Sequence, residues 1–226
     1  LRGAALDQYE EGTWYSSGSP DVVGKRQDVV PEQAISLGSP AGDGGVFQEI
    51  TLLATPADFS YLFTVWRPIK ITPMDPGEIA YLDRDATVMV SAQGGTYRYT
   101  VRSARREAEF RRRYPRRPAS WDSPVVARVA AEILRPAGIE PDPDRRPVAD
   151  DEEAIRAFRR HFWDNYTYSL GEPPPPPGAE PIEWFLTEAD RGHCEHYAAA
   201  LAALCQSVGI PARVMTGYLA AEFNRA

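Results

Sequence analysis

The sequence predicts an α+β protein, and three observations carry that prediction. Over the first hundred residues apolar and polar side chains alternate with period two, the signature of half-buried strands. From about residue 121 the period lengthens, and Val125, Val126, Val129, Ile133 and Leu134 recur at helical spacing. Of the 226 residues, 43% are hydrophobic and 25% charged, a composition that supports a packed core.

The β-rich part is taken as residues 1–103. Val46–Leu53 is rich in β-formers, and Tyr61, Phe63 and Val65 alternate with Leu62, Thr64 and Trp66. Ala86–Ser91 and Thr96–Arg102 flank Gln93-Gly94-Gly95, which reads as a hairpin because glycine supplies the positive φ of a tight turn. In the second of these strands Tyr97, Tyr99 and Val101 face one way and Arg98, Thr100 and Arg102 the other. Ser16–Gly45, rich in Gly, Pro and Ser, reads as loop. Residues 104–120 form a basic connector, with Arg111-Arg112-Arg113-Tyr114-Pro115-Arg116-Arg117 at its centre. We read that run as solvated rather than as a phosphate or lipid contact.

The second part is taken as residues 121–226. Ser123-Pro124 is an N-cap followed by a first-turn proline, and Pro136 and Gly138 end the helix that follows. A second helix starts at Asp150 or Asp151, with acids at its positive end and Ile155, Phe158 and Phe162 on its apolar face. His161 falls on its charged face. Tyr166–Leu170 reads as a short strand, Pro173–Pro177 as a stiff polyproline loop, and Ile182–Glu188 as a short helix. A helix from Cys194 to Val208 is closed by Gly209 and Pro211, and Ala212–Leu219 reads as a strand.

The net charge of −7 excludes a general nucleic-acid binder, which needs a basic face. No stretch is long and apolar enough to cross a bilayer. Neither paired Cys-x-x-Cys nor His-x-x-x-His spacing appears, so no metal and no other cofactor is expected. The two cysteines, Cys194 and Cys205, lie eleven residues apart on one predicted helix, hence about 16 Å along its axis. A disulfide spans about 4.4–6.8 Å between Cα atoms, which excludes a bridge between them.

Cysteine chemistry requires a thiolate, and a helix N-terminus favours one through its free N–H groups and partial positive charge. The sequence sets Cys194 at such a terminus, with Gly192 giving a sharp entry. Cys205, in the middle of an apolar stripe, has a packing role.

Several strings share one further property. Phe185-Leu186, Arg191-Gly192-His193-Cys194-Glu195-His196-Tyr197-Ala198, Gly209-Ile210-Pro211-Ala212-Arg213-Val214 and Thr216-Gly217-Tyr218 together resemble the core of the bacterial transglutaminase-like superfamily. Upstream, Leu1-Arg2-Gly3, Tyr9, Gly12-Thr13-Trp14, Gln48-Glu49-Ile50-Thr51-Leu52 and Tyr166-Thr167-Tyr168-Ser169-Leu170 are similar to membrane-anchored members, although Glu10-Glu11 replaces the usual Asp-Gly. The resemblance implies a β-rich domain followed by the front part of a papain-like core. It also implies an extracytoplasmic position, with membrane anchoring through transmembrane segments absent from this chain.

The implied chemistry is Cys-His-Asp acyl transfer on protein or peptide amide groups, or peptidase or amidase action on the same fold; a non-catalytic binding module is the alternative. Cys194 is the implied nucleophile and its backbone N–H the implied oxyanion donor. Tyr168, with Trp163 and Trp184 behind it, is the candidate second donor, and His193 and Tyr218 are candidate cleft residues. Beyond His196 the sequence holds no histidine, so the triad His and Asp are expected outside this chain, which by itself is expected to be inactive. The final strand is expected to have an unpaired edge and to support weak self-association.

Overall fold

The structure, a computed structural model, describes residues 1–16, 25–37, 45–55, 59–65, 67–82, 86–92, 94–104, 121–171 and 174–218. In chain order its strands are β1 (Arg2–Leu6), β2 (Gln8–Glu10), β3 (Thr13–Tyr15), β4 (Lys25–Asp28), β5 (Ile35–Ser36), β6 (Gly45–Thr55), β7 (Phe59–Leu62), β8 (Pro68–Pro73), β9 (Glu78–Leu82), β10 (Thr87–Ser91) and β11 (Gly95–Ala104). Helices α1 (Pro124–Leu134) and α2 (Asp151–Asn165) follow, then β12 (Thr167–Tyr168), α3 (Pro181–Thr187), β13 (Arg191–Gly192), α4 (Cys194–Ser207) and β14 (Val214–Gly217). None of these helices is long and apolar enough to cross a membrane. The chain divides into two units. One gathers the described residues of Leu1–Leu6, Ser16–Glu109 and Met215–Ala226; the other those of Asp7–Tyr15 and Phe110–Val214.

Two antiparallel four-stranded sheets build the first unit, in the orders β4-β9-β10-β7 and β5-β8-β11-β6. Period-two alternation selects which residues meet. Leu62, Ile79, Tyr81, Val88 and Val90 from one sheet pack with Ile71, Tyr97, Tyr99 and Val101 from the other. The Tyr99 hydroxyl donates to the Phe63 carbonyl at 2.8 Å. Ala80, Leu82 and Met89 form a second cluster, so β10 is buried on both faces. A separate two-stranded sheet pairs β1 with β14, closed by the Leu1 backbone nitrogen on the Tyr218 carbonyl (2.6 Å) and the Tyr218 N–H on the Leu1 carbonyl (2.9 Å).

Four sequence expectations are corrected here. The strands flanking Gly94-Gly95 do not form a hairpin: β10 pairs with β9 and β7, whereas β11 pairs with β6 and β8. A strand apolar on both faces belongs in the middle of a sheet, and the two glycines, at φ 85° and 92°, turn the chain into the other sheet instead. The segment taken as loop from Ser16 to Gly45 contains β4 and β5, short strands whose polar composition hides them. The strand expected over Tyr166–Leu170 is only Thr167–Tyr168. The last strand, expected over Ala212–Leu219, is Val214–Gly217 among the described residues, and β1 pairs with it along one edge. Residues 17–24, 38–44, the connector over 105–120, Gln93, Pro173 and 219–226 lie outside the described residues.

The second unit is helical around one core. Val126, Ala130 and Leu134 of α1, Ala154, Phe158 and Phe162 of α2, Ile182, Phe185 and Leu186 of α3, and Ala200, Ala203 and Leu204 of α4 supply it. Ser123 caps α1 by accepting from the Val126 N–H at 3.1 Å, and its hydroxyl donates to Glu183 at 2.6 Å. The β2–β3 hairpin sets Tyr9 opposite Trp14, and both rings pack on Trp121 with centroids 4.8 and 5.6 Å away. The Tyr9 hydroxyl donates to Glu180; burial and that carboxylate push the phenol well above its ordinary range.

Arg146 is the unit's buried cation. It donates to the Asp151 carboxylate at 2.9 Å and to the carbonyls of Glu140, Pro141 and Val208 at 3.2, 3.1 and 2.6 Å. The proline-rich loop after α1, the start of α2 and the end of α4 are thereby joined at one guanidinium, which satisfies the requirement that a buried charge be paired and hydrogen-bonded.

Candidate functional site

Cys194 is the first residue of α4 and its side chain is exposed. Its backbone N–H has no hydrogen-bond partner among the described residues. That follows from helix geometry: the first N–H groups of a helix have no carbonyl one turn before them. The neighbouring amides are treated differently. The Glu195 N–H donates to Nδ1 of His193 at 3.3 Å, and the His193 N–H donates to Nδ1 of His196 at 3.4 Å. The two imidazoles form a reciprocal capping box, their rings 4.2 Å apart and inclined by 74°.

Gly192 makes the entry possible. A Cβ there would sit 2.6 Å from Cε2 of Phe185 and 3.1 Å from Cβ of His196. Phe185 is fully buried, and its ring lies 5.3 Å from the His196 ring. Parallel pairing of β12 with β13 sets Tyr168 opposite Gly192, two residues before the thiol, and the Ser169 N–H donates to the Gly192 carbonyl at 2.8 Å. The Tyr168 ring is 61% exposed and stacks on Tyr197 of α4, 6.4 Å away at an interplanar angle of 9°.

The other sequence candidates fall elsewhere. Trp163 is 88% exposed on α2. Trp184 is partly buried against the core of the second unit, with packing for its visible role. Tyr218 belongs to the first unit, where its ring meets Phe63 at 4.8 Å. His161 is not simply on the surface: it packs on Phe162 and Tyr166, and burial holds its imidazole below the usual histidine range against the opposing pull of Asp164. Cys205 is buried, and burial pushes its thiol up to about 12 although Arg146 acts in the other direction. Among the described residues no three His, Cys, Asp or Glu side chains gather as a metal site would require.

Sequence reasoning missed Tyr197, Tyr166 and Phe185. Their rings enclose the back of the α4 N-terminus, at 5.1 to 6.2 Å from one another. The Tyr166 hydroxyl reaches the carbonyls of Phe185 and Leu186, and burial raises it to about 12. Their signal in the sequence is the run of aromatics just before and just after the Cys194 segment.

The segment that contains this cysteine, residues 144–225, matches the family described as the transglutaminase-like superfamily. Two curated relatives are similar over part of the chain. A protein-glutamine gamma-glutamyltransferase of Pseudomonas aeruginosa is 35% identical over 101 residues, which cover 44% of this chain and 13% of that protein. An uncharacterised protein of Bacillus subtilis, YebA, is 30% identical over 76 residues, which cover 33% of this chain and 10% of that protein. The chain thus matches only a small fraction of either relative's length. The periplasmic domain of TgpA from Pseudomonas aeruginosa, bound to ethylmercury, is similar in structure. Its TM-score is 0.58 at 19% identity, over 99% of this chain and 71% of the TgpA chain. A second crystal structure of the same domain gives a TM-score of 0.56, also at 19% identity. The chain therefore shares the α+β fold of that periplasmic domain.

Proposed function

We propose that the protein is a transglutaminase-like cysteine acyltransferase with Cys194 as its nucleophile. The observation that carries this reading is an exposed thiol on the first residue of a helix, beside an uncommitted N–H, inside the family segment. The sulfur attacks the carbonyl carbon of a glutamine side chain, the C–N bond breaks, ammonia leaves with a proton, and a thioester remains. An amine or water then attacks the thioester and the thiol is released. The Cys194 N–H is the donor for the transient oxyanion, with Tyr168 as the candidate second donor.

His193 and His196 spend their Nδ1 atoms on backbone amides, and His161 shares Nδ1 with Asn165. We therefore assign the general base and its orienting carboxylate to a histidine and an aspartate beyond Ala226. The substrate is a protein or peptide. Because a similar domain is periplasmic in TgpA, we place the protein outside the cytoplasmic membrane, anchored by segments other than these.

The test is incorporation of a primary amine into a glutamine-containing protein by the full-length enzyme. Cys194→Ala is expected to lower the rate by about 10³-fold or more, and residues 1–226 alone to be inactive. Release of ammonia and conversion of glutamine side chains to glutamate, without amine incorporation, would identify the amidase. Full activity in Cys194→Ala would refute the nucleophile.

A further inference from the structure

We propose that His193 and His196 are positioning residues, which fix the Cys194 end of α4 by capping it with two neutral acceptors and so leave the Cys194 N–H as the open donor. The proposal rests on the reading of Cys194 as the nucleophile and names what holds it. Four observations meet here. The His193 ring accepts from the Glu195 N–H and the His196 ring from the His193 N–H, so the amides on either side of Cys194 are both occupied. The amide between them has no partner among the described residues. The His196 side chain is itself located by Phe185 and by the bare Cα of Gly192. Each ring must present an unprotonated Nδ1, so the proton of the neutral ring sits on Nε2 in both.

The choice of residue type has a chemical reason. Serine, threonine, aspartate and asparagine are the ordinary N-caps, and glutamate or glutamine ordinarily closes the box. An aspartate at the cap would hold a full negative charge next to the sulfur and oppose its ionisation. Histidine accepts the same hydrogen bond without that charge. The acid of the first turn, Glu195, is exposed. An imidazole pair thus delivers cap geometry without placing a carboxylate at the cap.

Backbone amide exchange at His193 and Glu195, together with the rate at which iodoacetamide alkylates Cys194, tests this in the protein itself. His196→Leu is expected to speed exchange at the His193 amide. In the full-length enzyme it is expected to lower kcat by roughly 10- to 100-fold with KM nearly unchanged, because misplacement of the reacting group is felt in the chemical step. His196→Gln, which restores the capping box, should recover most of both. His193→Asn and His193→Asp should both protect the Glu195 amide, but the aspartate variant should be alkylated roughly fivefold more slowly than the asparagine one. Thermal melts identify any variant that has simply unfolded, and the Gln, Asn and Asp variants carry the test if His196→Leu does. Unchanged exchange and unchanged alkylation in folded His196→Leu, or equal alkylation of the Asn and Asp variants, would overturn the proposal. An inert Cys194→Ala substitution would instead sink the acyltransferase reading while leaving the exchange result standing.

Discussion

Gly192 is the residue on which the geometry of the thiol turns. A methyl group there would press into the buried ring of Phe185 and against Cβ of His196. Gly192→Ala is expected to cost about 1–3 kcal/mol in urea melts, as overpacking does. The two thiols give a second prediction at this scale. In the folded chain iodoacetamide should modify Cys194 and spare Cys205, which peptide mass analysis would read directly; equal labelling would contradict the burial described. Cys194 at a helix start was legible, because the glycine entry and the alanine-rich apolar stripe mark where that helix begins. The parts played by His193 and His196 were not. Histidine is a weak cap by propensity, and spacing along a helix does not tell which nitrogen faces a backbone amide.

At the scale of elements, helix ends and one buried cation hold the second unit together. Ser123→Ala removes the cap of α1 and the tie to Glu183, and should cost about 1 kcal/mol. Arg146→Ala strips a charge-paired guanidinium from three segments and leaves the Val208, Glu140 and Pro141 carbonyls without it. A loss of about 3–5 kcal/mol is expected, read from the shift of the denaturation midpoint. Helices α1, α2 and α4 could be read almost to the residue, because their apolar spacing and end signals agree. The sheet partners could not. Nothing local to Thr87–Ser91 and Gly95–Ala104 distinguishes two strands of one hairpin from neighbours in different sheets; burial on both faces of β10 decides it, and that depends on residues far along the chain.

Across the whole molecule the acid response divides between the units. Burial holds His161 of the second unit below the usual histidine range. Between that lowered value and about 6.5 the unfolded chain binds more protons than the folded one, so stability must fall as pH drops through this window. Asp75 of the first unit is held below the usual carboxylate range by the hydrogen bonds from Arg98, the side chain first and then the backbone. Its contribution is present above the unfolded value of about 3.9 and disappears only as pH falls through the lowered one. Trp14, Trp121, Trp163 and Trp184 all belong to the second unit, so tryptophan fluorescence reports chiefly on it. Melts followed by fluorescence should weaken between pH 7 and 5, and His161→Gln should flatten that slope. Asp75→Asn should lower stability at pH 7, and the difference should shrink as pH falls through the lowered value. Identical slopes in wild type and His161→Gln would contradict the assignment.

The pairing of β1 with β14 also governs how the chain is made. The bond between Leu1 and Tyr218 spans 217 residues, so a ribosome delivers Arg2–Leu6 long before the strand that it pairs with. At bacterial or eukaryotic synthesis speeds that interval is roughly 10–40 s. Throughout it β1 has the bridge from Arg2 to Thr64 in place of its strand partner, and it carries Ala4 and Ala5, which are buried once folding ends. The nascent polypeptide carries that segment without its β14 partner until the last strand of the pair emerges.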